Sequence, residues 1–230
     1  MKSTDEGILL HRLSYSETSV ITTFLTKNGG IKKFLFKGGK KKSAQLFPLS
    51  ISELTYYGRQ DSELLSLTKL ESIQNQTFQF SPLRSSVAYF IAELLLKCVK
   101  NEEKDENLYD YVSSTAGKLS NAESVSNLPV EVLLDLIVLL GIKPLVSEIG
   151  DTFNLTSGTI GAPIANEHIQ SNGSHIAYIR SKLEDPEVHL QIDGQQRELI
   201  TELLIDYLKI HIGGFRGLDS YEIVKEVVRS

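Results

Sequence analysis

Cysteine is nearly absent from this chain of 230 residues: Cys98 is the only one. No intrachain disulfide can form, and no Cys-based zinc site can be assembled. Cys98 follows Leu94 and Leu95 at helical spacing, which marks it as a buried structural thiol. Long apolar runs are also missing. The longest lie near Val132–Leu140 and Phe90–Leu96, and Asp135 and Glu93 interrupt them. Both are too short to span a bilayer. Met1 to Glu6 lacks an apolar signal core, so a cytoplasmic location is the expectation. His11, His168, His175, His189 and His211 are scattered, and no pair has the spacing of a helical zinc site. Lys37-Gly38-Gly39-Lys40-Lys41-Lys42-Ser43 lacks the leading glycine and the spacing of a phosphate-binding P-loop. Internal repeats and low-complexity tracts are absent. Together these absences argue against an enzyme and against any metal or other cofactor.

What remains is an ordinary globular composition, 41% hydrophobic and 23% charged, with a formal net charge of −5. The charge is unevenly placed. Residues 1–80 hold 11 Lys and Arg against 7 Asp and Glu, a net of +4; the rest of the chain holds 13 against 22, a net of −9. Such asymmetry points to one nucleic-acid-facing module joined to something else.

The hydrophobic period changes along the chain. Gly7–Arg12, Ser19–Leu25, Ile31–Lys37, Leu49–Tyr57 and Leu64–Ile73 read as five strands, with Asn28-Gly29-Gly30 as a tight hairpin and Gly58-Arg59-Gln60-Asp61 as a turn. Gly38 and Gly39 open a flexible basic loop reaching about Gln45. Five strands in about 70 residues suggest a small barrel of the OB type. After Ser81-Pro82 the period becomes helical. Val87, Phe90, Ile91, Leu94, Leu95 and Cys98 form one apolar stripe; Asn107–Leu119 is a weaker helix. Pro129 opens a helix stopped by Gly141, residues 195–212 form a strong helix, and Ser220–Val228 a short one. Residues 145–190 are mixed and rich in loops. The expected fold is therefore α+β: an OB-fold barrel in residues 1–80 and a mainly helical domain in 81–230, with a loop-rich insert near 145–190.

The most informative segment is the basic hairpin. Lys27, Lys32, Lys33, Lys37, Lys40, Lys41 and Lys42 place seven lysines within 16 residues, converging on one hairpin and its following loop. Such a cluster attracts phosphates. With Arg12, these lysines are the candidate DNA-binding residues. Phe34 and Phe36 share one sheet face, and Lys33 and Leu35 the other. Bases can stack on exposed aromatic rings, so Phe34, Phe36 and Tyr15 are stacking candidates. For the two phenylalanines, filling the barrel is the simpler role. For Lys37 to Lys42, phosphate binding is the expectation, because the rest of the chain is acidic. Glu103, Asp105 and Glu106, with Glu102, read as a solvated surface run.

Gly7-Ile8-Leu9-Leu10-His11-Arg12, Tyr15-Ser16-Glu17-Thr18-Ser19, Phe24-Leu25-Thr26, Gly29-Gly30-Ile31 and the basic stretch from Lys37-Gly38 to Ser43 resemble, in order and spacing, the N-terminal domain of the bacterial RecO family. Phe153-Asn154-Leu155-Thr156-Ser157-Gly158 resembles the F-x-x-x-x-G turn of that family's central region. Leu203-Leu204, Tyr207-Leu208 and His211-Ile212-Gly213 resemble its C-terminal helix. The resemblance covers nearly the whole chain and implies a DNA repair and recombination mediator. Such a protein binds single- and double-stranded DNA, anneals complementary strands, and helps load RecA with RecR on DNA coated by single-stranded-DNA-binding protein (SSB). RecR and the C-terminal tail of SSB are the implied partners, and association with the nucleoid follows. One departure stands out. Many members carry four zinc-binding cysteines in the central region, whereas Pro144 to Gln170 here contains none. Two other readings remain: an acidic helical adaptor whose barrel does not bind DNA, and a hydrolase with dispersed carboxylates.

Overall fold

Strands form where apolar and polar residues alternate. β1 (Lys2–Ser14), β2 (Val20–Thr26), β3 (Gly30–Phe36), β4 (Ile51–Tyr57) and β5 (Leu65–Ser72) close into a barrel in the order β1-β2-β3-β5-β4. All neighbours are antiparallel except β3 and β5, which run parallel. The computed structural model describes residues 2–59, 62–73, 80–100, 103–165, 167 and 169–229. Gln60, Asp61, Glu102 and His168, part of the turn, acidic-run and histidine readings, lie outside the described residues. The chain divides into two compact units, Met1–Val125 and Ser126–Ser230.

The first unit contains the barrel, α1 (Pro82–Cys98) and α2 (Glu106–Asn121). Leu9, Phe24, Phe34, Phe36, Leu54 and Leu67 fill the barrel interior with Val20, Leu46, Leu65 and Leu70. β1 is longer than its apolar segment, because Lys2 to Glu6 pair with Tyr57 to Glu53 of β4 and close the barrel. α1 begins as its sequence dictates: Ser81 Oγ accepts from the Arg84 amide, and Pro82 occupies the first turn. Its stripe from Val87 to Cys98 is buried, and burial pushes the Cys98 thiol up to about 12. A thiol that stays protonated and covered is inert at neutral pH. α1 packs against β1. Tyr109 of α2 donates to Glu6 Oε1 at 2.8 Å.

The second unit holds α3 (Leu128–Leu139), α4 (Ser174–Glu184), α5 (Gly194–His211) and α6 (Ser220–Arg229). The stretch expected to be loop-rich is more regular than its sequence suggests. It contains α4 and a four-stranded sheet, β6 (Leu145–Val146), β7 (Thr152–Asn154), β8 (Thr159–Gly161) and β9 (Gln170–Asn172), in the order β6-β8-β7-β9. Strands of two or three residues carry too few positions to show a period.

Hydrogen bonds hold this sheet. Asn154, wholly buried, donates to Ala162 O at 3.1 Å and Thr159 Oγ1 at 3.3 Å and accepts from the Ile164 amide at 3.3 Å. Glu167 Oε1 accepts from the Thr156 and Ser157 amides. Helix α5 clasps the same turn. The Tyr207 ring lies 5.2 Å from that of Phe153, and His211 Nε2 donates to Leu155 O at 2.8 Å. Among the described residues no group of three or more His, Cys, Asp or Glu is placed to hold a metal ion. Elemental analysis of the purified protein is expected to find far less than one zinc per chain; stoichiometric zinc that resists chelation would contradict this account of the region.

Candidate nucleic-acid interface

Register places the outward-facing side chains of β1, β2 and β3 in rows. His11, Thr23 and Lys33 are paired across the strands; Leu13, Ile21 and Leu35 form the next row. Tyr15, Ser19 and Lys37 continue the same alternation one step further, and the Tyr15 amide donates to Ser19 O at 3.1 Å. Leu35 is in turn paired with Ser66 of β5, and Ser66 with Tyr57 of β4. The result is an apolar row lying between Lys33 and Lys37 on β3. Leu13 is 57% exposed, Tyr15 63% and Tyr57 47%. Toward the other end of the sheet Ile8 and Leu25 also face outward but are buried, so only the Tyr15 end of this face is open.

The basic segment after β3 is a 3-10 helix, Gly39–Gln45, kinked at Lys42, and not the flexible loop expected from two glycines. Gly38 takes φ 73°, a left-handed conformation that favours glycine. Gly39 is required by space: a Cβ there would lie 2.6 Å from Val20 Cγ2. The helix is tied down at three points. The Lys40 amide donates to Thr18 O at 3.2 Å, Arg12 Nη1 donates to Ser43 O at 2.8 Å, and Lys42 Nζ donates to Leu70 O at 3.1 Å. Arg12 and Lys42 thus have structural partners, while Lys37, Lys40 and Lys41 are exposed. Glu17 is the one acidic side chain in the neighbouring β1–β2 loop.

The seven lysines do not converge. Lys27 and Lys32 lie at the hairpin end of β2 and β3, with Lys27 Nζ 5.9 Å from the centre of the Tyr109 ring and Lys32 over Gly29. Five steps along the chain in extended form, roughly 16 Å, separate Lys32 from Lys37. A run that is compact in sequence is drawn out by the strand it occupies. The aromatic candidates divide as well. Phe34 is wholly buried and Phe36 is 4% exposed; Phe34 packs edge-on against Phe24 and Tyr56 at 5.8 and 5.1 Å. Neither ring can meet a base, so Tyr15 alone of the three stays available. Tyr57, exposed on β4 and separated from β3 by β5, was not among the sequence candidates. The signal was present: in an alternating strand the pair Tyr56-Tyr57 sends one ring inward and the other out.

A second concave site lies within the Ser126–Ser230 unit, lined by Pro129, Arg197, Thr201, Tyr221, Val224 and Lys225 with Ser126, Gly194 and Glu198. Arg197 Nε donates to Asn127 Oδ1 at 2.9 Å, and its partial burial lowers the guanidinium pKa. Lys225 is held between Glu198 and Glu202 at 2.6 and 2.8 Å.

Comparison with known proteins gives the same outline. Residues 1–76 match the family model described as Recombination protein O N terminal, and residues 79–218 the model Recombination protein O C terminal. A Flavobacterium johnsoniae protein named DNA repair protein RecO is 25% identical, with 99% of each chain covered. Proteins of the same name from Bacteroides fragilis and Porphyromonas gingivalis are 25% and 26% identical, covering 96% and 95% of this chain and 97% and 96% of their own. With both family models matched in order along the barrel and the region that follows it, the chain belongs to the recombination protein O family.

Proposed function

We propose that this protein is a DNA repair mediator that binds single- and double-stranded DNA through the open barrel face, anneals complementary strands, and works by binding rather than by bond chemistry. The observation that carries the reading is the placement of Lys33 and Lys37 along the open face with Lys40 and Lys41 on the anchored 3-10 helix beside it. Lysines held on a rigid element lose little freedom on meeting phosphate, and counterion release supplies the affinity. Neutralising two strands lowers their mutual repulsion, after which base pairing drives annealing. Family membership supports the further roles, loading RecA together with RecR on SSB-coated DNA, and a nucleoid-associated, cytoplasmic location. Among the described residues no helix is long and apolar enough to cross a membrane. A titration of labelled single-stranded DNA at two salt concentrations tests the reading: steep salt dependence is expected, and no affinity at low salt refutes it in favour of the adaptor alternative.

The second concave site suits the tail of SSB, a short acidic and hydrophobic peptide. Pro129, Tyr221 and Val224 offer apolar contacts, and Arg197 offers charge for a carboxylate. The other basic side chains considered for such a peptide are engaged elsewhere or lie outside the site. Arg84 donates to Leu119 O and Ala122 O, Lys97 pairs with Glu93, Lys143 donates to Leu183 O, Arg180 to Ser147 O and Gly150 O, and Lys182 to Pro186 O; Lys100 does not line the site. Calorimetry with the tail peptide is expected to detect binding that weakens about tenfold or more in Arg197→Ala, since a charged hydrogen bond contributes about 1.5–3 kcal/mol. No heat of binding to the wild type at low salt would rule the pocket out.

A further inference from the structure

We infer that α6 is a lid over the second concave site, latched shut by Lys225, and that Glu198 and Glu202 hold this lysine where a ligand carboxylate takes it over when the site is filled. The inference rests on the peptide reading of that site given above and adds its regulation.

The closed site is too small for such a ligand. It encloses about 30 Å³, room for one or two waters. A benzene-sized group is held by a cavity of about 150 Å³, so an apolar side chain of the peptide enters only if a wall moves. Two of the walls are fixed to each other. Helices α3 and α5 pack together, and Arg197 Nε on α5 donates to Asn127 Oδ1 at the start of α3 at 2.9 Å. Thr201, on the α5 wall, is buried, and its Oγ1 donates to Arg197 O at 2.7 Å.

The third wall is α6, which supplies Tyr221, Val224 and Lys225. A helix of ten residues is too short to persist in water without packing, so its contacts with α5 decide where it sits. Val224 is buried, and Tyr221 nearly so. The polar contacts gather on two carboxylates one turn apart on α5: Lys225 Nζ lies 2.6 Å from Glu198 Oε1 and 2.8 Å from Glu202 Oε1, and Tyr221 OH donates to Glu202 at 3.5 Å. Glu222, Ile223 and Glu226 form the exposed outer face. The link from α5 turns at Gly214 and Gly217, with φ 88° and 110°, loop positions of the kind that serve as hinges.

Charge sets the exchange. Hydrogen bonds to Glu198 and Glu202 raise the Lys225 pKa above the ordinary lysine range, so the ammonium stays charged at any physiological pH. An acidic peptide brings carboxylates of the same kind. Lys225 passes from Glu198 and Glu202 to the peptide, beside Arg197, and α6 closes again over the apolar side chain. When empty, the site is shut by its own carboxylates.

Hydrogen exchange of the full chain, with and without the SSB tail peptide, tests the lid, and calorimetry with the same peptide tests the pocket. Glu198→Gln with Glu202→Gln and, separately, Lys225→Met both break the latch. Each is expected to speed exchange of the α6 amides about fivefold and to leave α3 and α5 unchanged, because two partly exposed ion pairs are lost. The variants should part in affinity. The glutamine variant should bind the peptide about fivefold more tightly than wild type, since its lid opens more easily. Lys225→Met should bind at least about tenfold more weakly than the glutamine variant, since a charged hydrogen bond to the peptide is gone. Peptide bound to wild type should slow α6 exchange. Peptide binding to wild type, with α6 exchange unchanged by the peptide and by both variants, overturns the lid and leaves the pocket standing. No binding to wild type or to the glutamine variant overturns the pocket reading and, with it, the hand-over of Lys225.

Discussion

Replacing Lys37, Lys40 and Lys41 together by alanine is expected to weaken single-strand binding about a hundredfold near 0.1 M salt and to leave the melting temperature unchanged. Each phosphate contact contributes about −0.7 to the slope of log affinity against log salt for a single strand, so three contacts account for about two log units between 1 M and 0.1 M. The three side chains are exposed, and exposed lysines away from a packed site change stability by less than about 0.5 kcal/mol. The loss should be nearly the same for every sequence, because phosphate contacts position the strand and do not read it. Lys42 does not belong in this set. Its ammonium donates to Leu70 O, so Lys42→Ala is expected to loosen the 3-10 helix and lower stability by about 1.5–3 kcal/mol. Equal slopes and affinities for wild type and the triple variant would show that the lysines are a solvated edge.

Phe34→Ala should have the opposite signature. The ring is wholly buried between Phe24 and Tyr56, and removing it from a packed core costs about 3–5 kcal/mol. That is a large share of the roughly 5–15 kcal/mol that holds a native protein folded. Thermal denaturation should show a drop on the order of 10 °C, and Phe34→Leu, which keeps most of the volume, should lose much less. Any loss of DNA binding should follow unfolding and vanish where the variant is still native. A variant that melts like wild type yet has lost its DNA affinity would place the ring at the interface instead of in the barrel.

The barrel was legible because its strands are long enough to alternate. Val20–Thr26, Gly30–Phe36 and Ile51–Tyr57 each run seven residues, and the change to helical spacing after Pro82 was equally plain. Some helices carry a cap in their sequence, as with Asp193 and Gln196, which exchange side-chain and backbone hydrogen bonds at the start of α5. Three features were hidden, each for a physical reason. The small sheet depends on Asn154, Glu167 and Tyr207, whose partners are brought together by tertiary contacts and leave no periodic trace. The lysines look like one cluster because sequence distance ignores the length of a strand. The insertion of β5 between β3 and β4, which closes the barrel, leaves no trace in local sequence. The two glycines were visible, but their role was not. The left-handed φ of Gly38 and the close packing of Gly39 against Val20 and Phe36 explain their presence better than flexibility does.

The central claim is that the open face of the barrel holds the DNA strand. Photo-crosslinking of the full chain to a thymidine oligonucleotide, followed by identification of the linked peptides, tests it most directly. The account predicts that crosslinks concentrate in residues 11–23 and 33–41, and that they decline in the Lys37, Lys40 and Lys41 triple variant. Crosslinks confined to residues 126–230, and unaffected by that variant, would contradict it.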